Sequence, residues 1–282
     1  ALQHKDPRDA HAAGCALARQ TLTRLWEGVG MLGSLMWGVP LQNNPLLGLM
    51  SQWLSPYQAN PLGINPLRHL LEREVDFDAL CHASNGCGPK VFVCATNVRT
   101  GQGEIFSGAR LSADAVMASA CLPLMFKAVE IEGERYWDGG YSGNPTMTPL
   151  VRDCNSDDVI LVAVNPVERP DRPTGAREIL NRINEISFNA GLLKELRMIA
   201  LLRQVADVGN CEGARWASKR IHLVRNDLAT VLDSSSKMSA EWAFLEMLHK
   251  EGRRVAESFL AQDGANLGKR SSIDLNVLLE GV

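Results

Sequence analysis

The sequence predicts an α/β fold, because short apolar strands alternate with helical patterns along its length. Two nearly apolar runs, residues 90–98 and 157–166, have the composition of buried strands. Around them, apolar residues recur at the three- and four-residue spacing of amphipathic helices. The chain shows no internal repeat and no low-complexity segment.

Composition narrows the function classes. The 282 residues suffice for one large domain or two small ones. A net charge of −3 gives no indication of nucleic-acid binding. The seven cysteines form no Cys-x-x-Cys pair and the six histidines lack metal-ligand spacing, so we predict no metal and no cofactor. An odd cysteine count without a disulfide pattern favours the cytoplasm.

The N-terminal part begins with an amphipathic helix predicted from about residue 9 to 28. Residues 28–67 then contain no charged side chain and are interrupted by five prolines. No uninterrupted apolar run is long enough to span a bilayer. Two interpretations remain open: buried helices and loops of the core, or an apolar cap beside an acyl-chain pocket or a lipid surface. The second would make the protein peripheral to a membrane.

The rest of the chain is predicted to alternate between strands and helices. A short helix is predicted over residues 65–74, a central strand over 90–98 and a return strand over 104–107. Ser112 is a plausible N-cap for a helix that stops before Pro123. Further on, a strand is expected at 157–166, a long helix at 174–208 with a break near 189–191, a strand at 220–224 and a helix at 239–262.

A hairpin at residues 129–137 leads to the most informative residue, Asp138. The Glu132-Gly133 pair is a turn signal between two alternating runs, so Asp138 leaves the end of a strand. Gly139 and Gly140 follow and allow close approach of another chain or a ligand. A carboxylate in this position can be a catalytic acid or base, but Asp-Gly is also a common surface turn.

The surrounding residues resemble the patatin-like phospholipase family. Asp-Gly-Gly follows a hairpin, is preceded by Ala-Ser-x-x-x-Pro ending at Pro123, and is followed by Asn144-Pro145. Residues 94–101 and 177–189 resemble the bacterial branch of that family, which carries an extra conserved C-terminal segment. The resemblance implies a three-layer sandwich with a central, mostly parallel sheet. It also implies lipid or other acyl esters as substrates, and Asp138 as the base of a Ser–Asp dyad.

The family's nucleophilic serine sits in Gly-x-Ser-x-Gly, and this sequence contains no such motif. The look-alikes at Gly33-Ser34 and at residues 139–143 lack the required spacing. We therefore expect an N-terminally incomplete chain, without the first strands and the nucleophile elbow, that is inactive alone. Residues 1–170 would be the incomplete catalytic domain and 171–282 a mostly helical segment packed on it. The alternative function is a catalytically dead lipid-binding or scaffold protein.

Other polar residues are weaker candidates, and substrate-binding residues are not assigned. Carboxylates at the starts of elements more often solvate a turn or face a helix N-terminus than catalyse. Asn144 is expected to be a turn residue, with a role in orienting the Asp138 loop as the alternative. The remaining candidates are interpreted as structural: Asp114, Asp157, Asp158, His222 and Cys121, the last as a packed thiol.

Overall fold

The computed structural model describes residues 7–37, 55–60, 65–84, 88–123, 125–143, 146–169, 172–205, 211–226 and 239–279. The helices within these ranges are α1 (Pro7–Trp37), α2 (Pro56–Ala59), α3 (Pro66–Glu74), α4 (Phe77–Ser84), α5 (Ala113–Ser119), α6 (Thr148–Asp153), α7 (Ala176–Val205), α8 (Cys211–Ala217) and α9 (Trp242–Asp263). The strands are β1 (Phe92–Asn97), β2 (Gly103–Ser107), β3 (Val129–Ile131), β4 (Glu134–Asp138), β5 (Asp158–Ala163) and β6 (Arg220–Arg225). The mixture of helices and sheets confirms the predicted α/β class.

The larger sheet has the strand order β2-β1-β4-β3, and every pairing in it is antiparallel. The prediction of a mostly parallel central sheet is therefore wrong for this sheet. The connections explain the difference, because the short turns between β1 and β2 and between β3 and β4 can join only antiparallel neighbours. Glu132 and Gly133 both have positive φ, 54° and 81°, as a tight hairpin turn requires.

A parallel pairing joins β5 to β6 in a second, two-stranded sheet. Its register runs from Asp158 opposite Arg220 to Ala163 opposite Arg225. The connection between the two strands contains α7 and α8, which gives the length that a parallel crossover needs. The three-layer arrangement implied by the family resemblance stays a prediction.

Helix boundaries differ from the sequence prediction at two glycine-containing positions. Helix α1 continues past residue 28, because Gly28 and Gly30 are buried contact points. A Cβ built on Gly28 would lie 2.7 Å from a Leu70 methyl group, and one on Gly30 would lie 3.2 Å from the Ala240 carbonyl oxygen. Helix α7 likewise continues through Gly191, so the predicted break near 189–191 is wrong. Tertiary packing outweighs the modest cost of a helical glycine.

The charge-free stretch is only partly described. Residues 38–54 and 61–64 lie outside the described residues. Within the rest, the Tyr57 hydroxyl accepts the Ala128 N–H at 3.3 Å, which places α2 beside the loop before β3. In the described part of the chain, no helix combines the length and the apolar character needed to cross a membrane. Both interpretations of residues 28–67 stay open.

The buried apolar side chains form two clusters. One lies between the larger sheet and α5, where the rings of Phe106 and Tyr136 meet edge to face at 5.2 Å. The other joins the parallel pair to α6, α7 and α8, with Met147, Ile199 and Ile221 fully buried. Asp138 ends β4, and the turn that follows it contacts Phe188 of α7.

Asp158 connects the parallel pair to the C-terminal part of the chain. Its carboxylate accepts two hydrogen bonds from Arg220, both 2.8 Å long, one from His222 Nε2 at 2.9 Å and one from the Gly268 N–H at 3.1 Å. Arg220, followed by His222, holds the pKa of Asp158 well below its usual value. His222 is fully buried. These contacts give Asp158 and His222 a structural role.

We predict that Asp158→Asn lowers the free energy of unfolding at pH 7 by about 2 kcal/mol, because charge-assisted hydrogen bonds are lost. Because the pKa of Asp158 is lower in the folded protein, its ionised carboxylate stabilises the fold fully at pH values above its pKa in the unfolded chain, about 4. This stabilisation is lost as the pH falls below that value towards the lower pKa of the folded state. The difference between variant and wild type, measured by urea unfolding, should therefore narrow in acid. Asp153→Asn, at the exposed end of α6, is the matched control. An equal change in the free energy of unfolding for the two variants would contradict the structural role of Asp158.

Candidate active site

Asp138 is the last residue of β4 and the N-cap of a short 3₁₀ turn, Gly139–Tyr141. Its Oδ1 accepts a hydrogen bond from the Gly140 N–H at 2.8 Å. The side chain thereby satisfies a backbone donor that the turn leaves unpaired. Asp138 is half-buried, and this hydrogen bond orients its carboxylate relative to the strand end.

The backbone of Asp138 is held from two sides. Its N–H donates to the Cys121 carbonyl oxygen at 2.9 Å, which ties it to the end of α5. Its carbonyl oxygen accepts a hydrogen bond from the Thr96 hydroxyl at 2.7 Å. Thr96 lies on the neighbouring strand β1 and is buried. The carboxylate therefore projects from a backbone position with little freedom.

Gly139 sits where a side chain has no room. A Cβ built on this residue would lie 2.2 Å from the Cys94 carbonyl oxygen and 3.2 Å from the Cys94 Cβ. The backbone of the turn therefore passes directly against the backbone of β1. The first glycine of Asp-Gly-Gly is required by this close approach.

Gly140 meets a different element, the long helix α7. A Cβ built on Gly140 would lie 2.2 Å from Cε1 of Phe188. The Phe188 ring also packs against Tyr141, with ring centroids 5.2 Å apart and planes tilted by 52°. The second glycine thus makes room for an aromatic side chain that covers the turn. Helix α7 is consequently part of the environment of Asp138.

Buried polar contacts fix α7 in this position. Glu185 is 5% exposed and forms ion pairs with Arg169 at 2.6 Å and with Arg182 at 3.3 Å. Burial by itself would raise the pKa of the Glu185 carboxyl, but the two arginines outweigh burial and hold the pKa below its usual value. One turn further, the Asn189 amide donates to the Pro166 carbonyl oxygen at 2.8 Å. These contacts bind α7 to the segment that leaves β5.

Cys121 lies beside Asp138 without the properties of a nucleophile. The side chain is 2% exposed and its thiol donates to the Lys127 carbonyl oxygen at 3.1 Å. Burial raises the pKa of the Cys121 thiol to about 11, and the negative charge of Asp138 contributes to the increase. The thiol is protonated at neutral pH. The geometry agrees with the interpretation of a packed thiol.

Ser142 is the serine that follows the Asp-Gly-Gly turn. Its Oγ lies 2.9 Å from the Thr96 Oγ1 and 3.2 Å from the Gly139 carbonyl oxygen. The Ser142 hydroxyl is therefore engaged with the backbone and with β1, and it forms no hydrogen bond with the Asp138 carboxylate. This arrangement is a turn contact and does not form a dyad.

The remaining candidates lie away from Asp138 or outside the described residues. Asp114 forms an ion pair with Arg68 of α3. Asp157 lies 3.5 Å from the buried ammonium group of Lys219. Asn144 and Pro145, which belong to the family-like motif, are outside the described residues.

Sequence reasoning missed Thr96 and Phe188 as neighbours of Asp138. Thr96 belongs to a predicted strand, but its hydroxyl contact depends on the antiparallel register of β1 and β4. Phe188 lies 50 residues after Asp138 in sequence, and its contact with Gly140 is tertiary. The available signal was the family-like segment 177–189, which contains Phe188 together with the residues that anchor α7.

The fold and the site define an α/β protein with a strand-end carboxylate, Asp138, held on a glycine turn. Residues 12–151, just under half of the chain, match the family model described as patatin-like phospholipase, so this segment is similar to that family. No curated protein gives a significant match to the chain. The matched segment contains Asp138 and its turn, whereas Glu185 and Phe188 lie beyond it.

We predict that two Gly→Ala changes alter the free energy of unfolding in opposite directions. Gly139→Ala should lower the free energy of unfolding by about 3 kcal/mol, because the new methyl group would collide with backbone atoms of β1. Gly252→Ala lies in the exposed part of α9, where an added methyl group would meet no atom within 4 Å, and should stabilise the protein by up to about 1 kcal/mol. Urea unfolding measures both. A neutral Gly139→Ala variant would contradict the described contact.

A second prediction concerns Phe188. Phe188→Ala should increase the hydrogen-exchange rate of the Gly140 amide, because the ring that covers the turn is lost. Phe188→Leu should largely restore protection, since it refills most of the space. Phe244→Ala, at a half-buried position on α9, is the control for general destabilisation. Equal exchange at Gly140 in the two alanine variants would show that Phe188 has no local role.

Proposed function

We propose that this protein is a lipid acyl hydrolase that uses a Ser–Asp dyad, with Asp138 as the base. The family match supports hydrolase chemistry on acyl esters. The observation that carries the assignment of Asp138 is its carboxylate, held by the Gly140 N–H at the end of a strand whose backbone is fixed on both sides. A base that transfers protons benefits from such a fixed orientation.

The proposed mechanism follows from the weak nucleophilicity of serine. The serine hydroxyl needs a base within hydrogen-bond reach, and Asp138 takes its proton as Oγ attacks the ester carbonyl. The protonated Asp138 then returns this proton to the leaving alcohol, and an acyl-enzyme remains. In the second half, Asp138 takes a proton from the water that attacks the acyl-enzyme and returns it to the departing serine Oγ as the fatty acid is released. Backbone N–H groups are expected to stabilise the oxyanion in both steps.

The nucleophile is the component that the 282 residues do not supply in the expected motif. No Gly-x-Ser-x-Gly occurs among them, and Ser142 is engaged elsewhere. We therefore propose that this chain by itself lacks hydrolase activity. The same observation favours a second candidate function, a catalytically dead patatin-like protein that binds lipids or serves as a scaffold.

The proposed partners are lipids or other acyl esters, and not nucleic acid, since the chain has a net charge of −3. Peripheral membrane contact is proposed through residues 28–67. In that stretch Met31 is 63% exposed and Tyr57 is 48% exposed, so both side chains are accessible for contact with a lipid surface. The free cysteines among the described residues support a cytoplasmic location.

The test uses the 282-residue chain and, where the natural open reading frame encodes further residues, its full translation product. Each is treated with a fluorophosphonate probe and assayed on a short-chain fatty-acid ester. We expect no adduct on the 282-residue chain. In an active translation product, Asp138→Asn should reduce hydrolysis by at least about 100-fold, the typical contribution of a positioned base. Asp153→Asn is the control carboxylate and should leave the rate unchanged.

The outcomes separate the two functions. An active translation product that keeps its rate in Asp138→Asn would contradict the role of Asp138. An inactive and unlabelled translation product would favour the lipid-binding or scaffold function. An adduct on a serine of the 282-residue chain, lost in Asp138→Asn, would retain the dyad but overturn the expectation that this chain is inactive.

A further inference from the structure

A second polar cavity lies away from Asp138, where the C-terminal end of α7 meets β6 and the turn that follows α9. This arginine pocket has a volume of about 560 Å³ and is lined by Arg203, Arg220, Arg270, Ser271 and Ser272. Arg203 follows Phe188 by 15 residues on α7, a distance of about 22 Å along the helix. The pocket is therefore separate from the Asp138 turn.

The arginines of the pocket differ in how their charges are balanced. Arg220 is neutralised by its two hydrogen bonds to Asp158. Arg203 instead donates to the carbonyl oxygens of Ala217 and Lys219. Arg270 donates from Nε to the Asn266 side-chain oxygen at 2.8 Å. Among the described residues, neither Arg203 nor Arg270 has a carboxylate at ion-pair distance.

Arg203 is the more shielded of these two cations. Burial lowers the pKa of its guanidinium, as expected for a cation without a neighbouring carboxylate. A guanidinium nevertheless keeps its charge at neutral pH. Arg203 itself is exposed, and a positive charge without a carboxylate at ion-pair distance is stabilised by an anion that enters the pocket.

The two serines add hydrogen-bond donors to the same cavity. Ser271 Oγ accepts hydrogen bonds from Arg203 at 3.1 Å and from the Ile221 N–H at 3.0 Å, so both of its lone pairs are used. Ser272 Oγ accepts the Leu223 N–H at 3.3 Å. Each hydroxyl therefore keeps its own proton for donation. Within the described residues, the structure pairs neither proton with an acceptor.

We propose that the arginine pocket binds a phosphate group, held by the guanidinium groups of Arg203 and Arg270 and by the hydroxyl groups of Ser271 and Ser272. A carboxylate accepts its hydrogen bonds close to one plane, whereas the oxygens of a tetrahedral phosphate can accept from donors on several sides of the pocket. Asp263 and Asp274 also line the pocket. Their charges would repel a lone dianion but can receive an ammonium group, so a phosphate that carries one, as in phosphoethanolamine, suits the pocket best.

The phosphate could belong to a small soluble compound or to a lipid headgroup, and the two sources are tested separately. Isothermal titration at constant ionic strength, with inorganic phosphate and with O-phosphoethanolamine, tests the soluble source. Sedimentation with vesicles of mixed phosphatidylcholine and phosphatidylethanolamine, compared with phosphatidylcholine alone, tests the headgroup. Neither assay requires hydrolase activity, so failure of the proposed function would not affect the result.

Arg270→Gln is the diagnostic variant, because Arg270 is exposed and its described contact is to a single side chain. We expect it to weaken binding of O-phosphoethanolamine about tenfold, the loss of one charge-assisted hydrogen bond. Arg253→Gln removes the same charge from an exposed position on α9 and should leave binding unchanged. Chemical shifts of the Ser271 and Ser272 amides should move on titration with the wild-type protein.

Three results would overturn the proposal: no binding of any probe, equal weakening by Arg270→Gln and Arg253→Gln, or shift changes that exclude Ser271 and Ser272. Binding of O-phosphoethanolamine without vesicle binding would support the site with a soluble phosphate as its ligand. Vesicle binding that depends on phosphatidylethanolamine and on Arg270 would support it with the headgroup as its ligand.

Discussion

The contact between the backbone of Gly139 and the Cys94 carbonyl group fixes where the Asp138 carboxylate lies. A Cβ at this position would approach the carbonyl oxygen to 2.2 Å, so the turn can lie against β1 only because residue 139 is a glycine. Two hydrogen bonds then hold the backbone of Asp138: its carbonyl oxygen accepts from the Thr96 hydroxyl, and its N–H donates to the Cys121 carbonyl oxygen. The Gly140 N–H orients the carboxylate itself. Strand pairing, turn geometry and side-chain orientation thus depend on one close approach.

Helix α7 extends this constraint beyond the family-matched segment. The ring of Phe188 occupies the space that Gly140 leaves open. The buried Glu185 carboxylate binds the helix to Arg169, which lies outside α7. Replacing a partner of such a buried ion pair leaves an uncompensated charge, so the orientation of the helix is strongly specified. The part of the chain outside the family match therefore contributes directly to the environment of the candidate base. A separate polar cavity lies at the far end of the same helix, so α7 borders both the Asp138 turn and the arginine pocket.

The sequence identified Asp138 and the hairpin that leads to it because those signals are local. Glu132-Gly133 determines a tight turn, and Asp-Gly-Gly at the end of an alternating run places a carboxylate at a strand end. Strand direction was predicted wrongly, since an apolar run such as β1 indicates burial on both faces but not the orientation of its neighbours. Glycines in helical patterns predicted a helix end at Gly28 and a break near Gly191, although Gly28 is packed against Leu70 and α7 continues through Gly191. The contact of Phe188 with Gly140 joins residues far apart in sequence, and local patterns carry no information about it.

The most direct test of the account is the geometry of a trapped nucleophile. A crystal structure of the complete translation product, after reaction with a fluorophosphonate, would show which serine is modified and which carboxylate it faces. The account predicts that the Oγ of the modified serine lies within about 3.5 Å of an Asp138 carboxylate oxygen, with the Gly140 N–H still bound to that side chain. A modified serine that faces a different carboxylate or a histidine would contradict the assignment of Asp138 as the base.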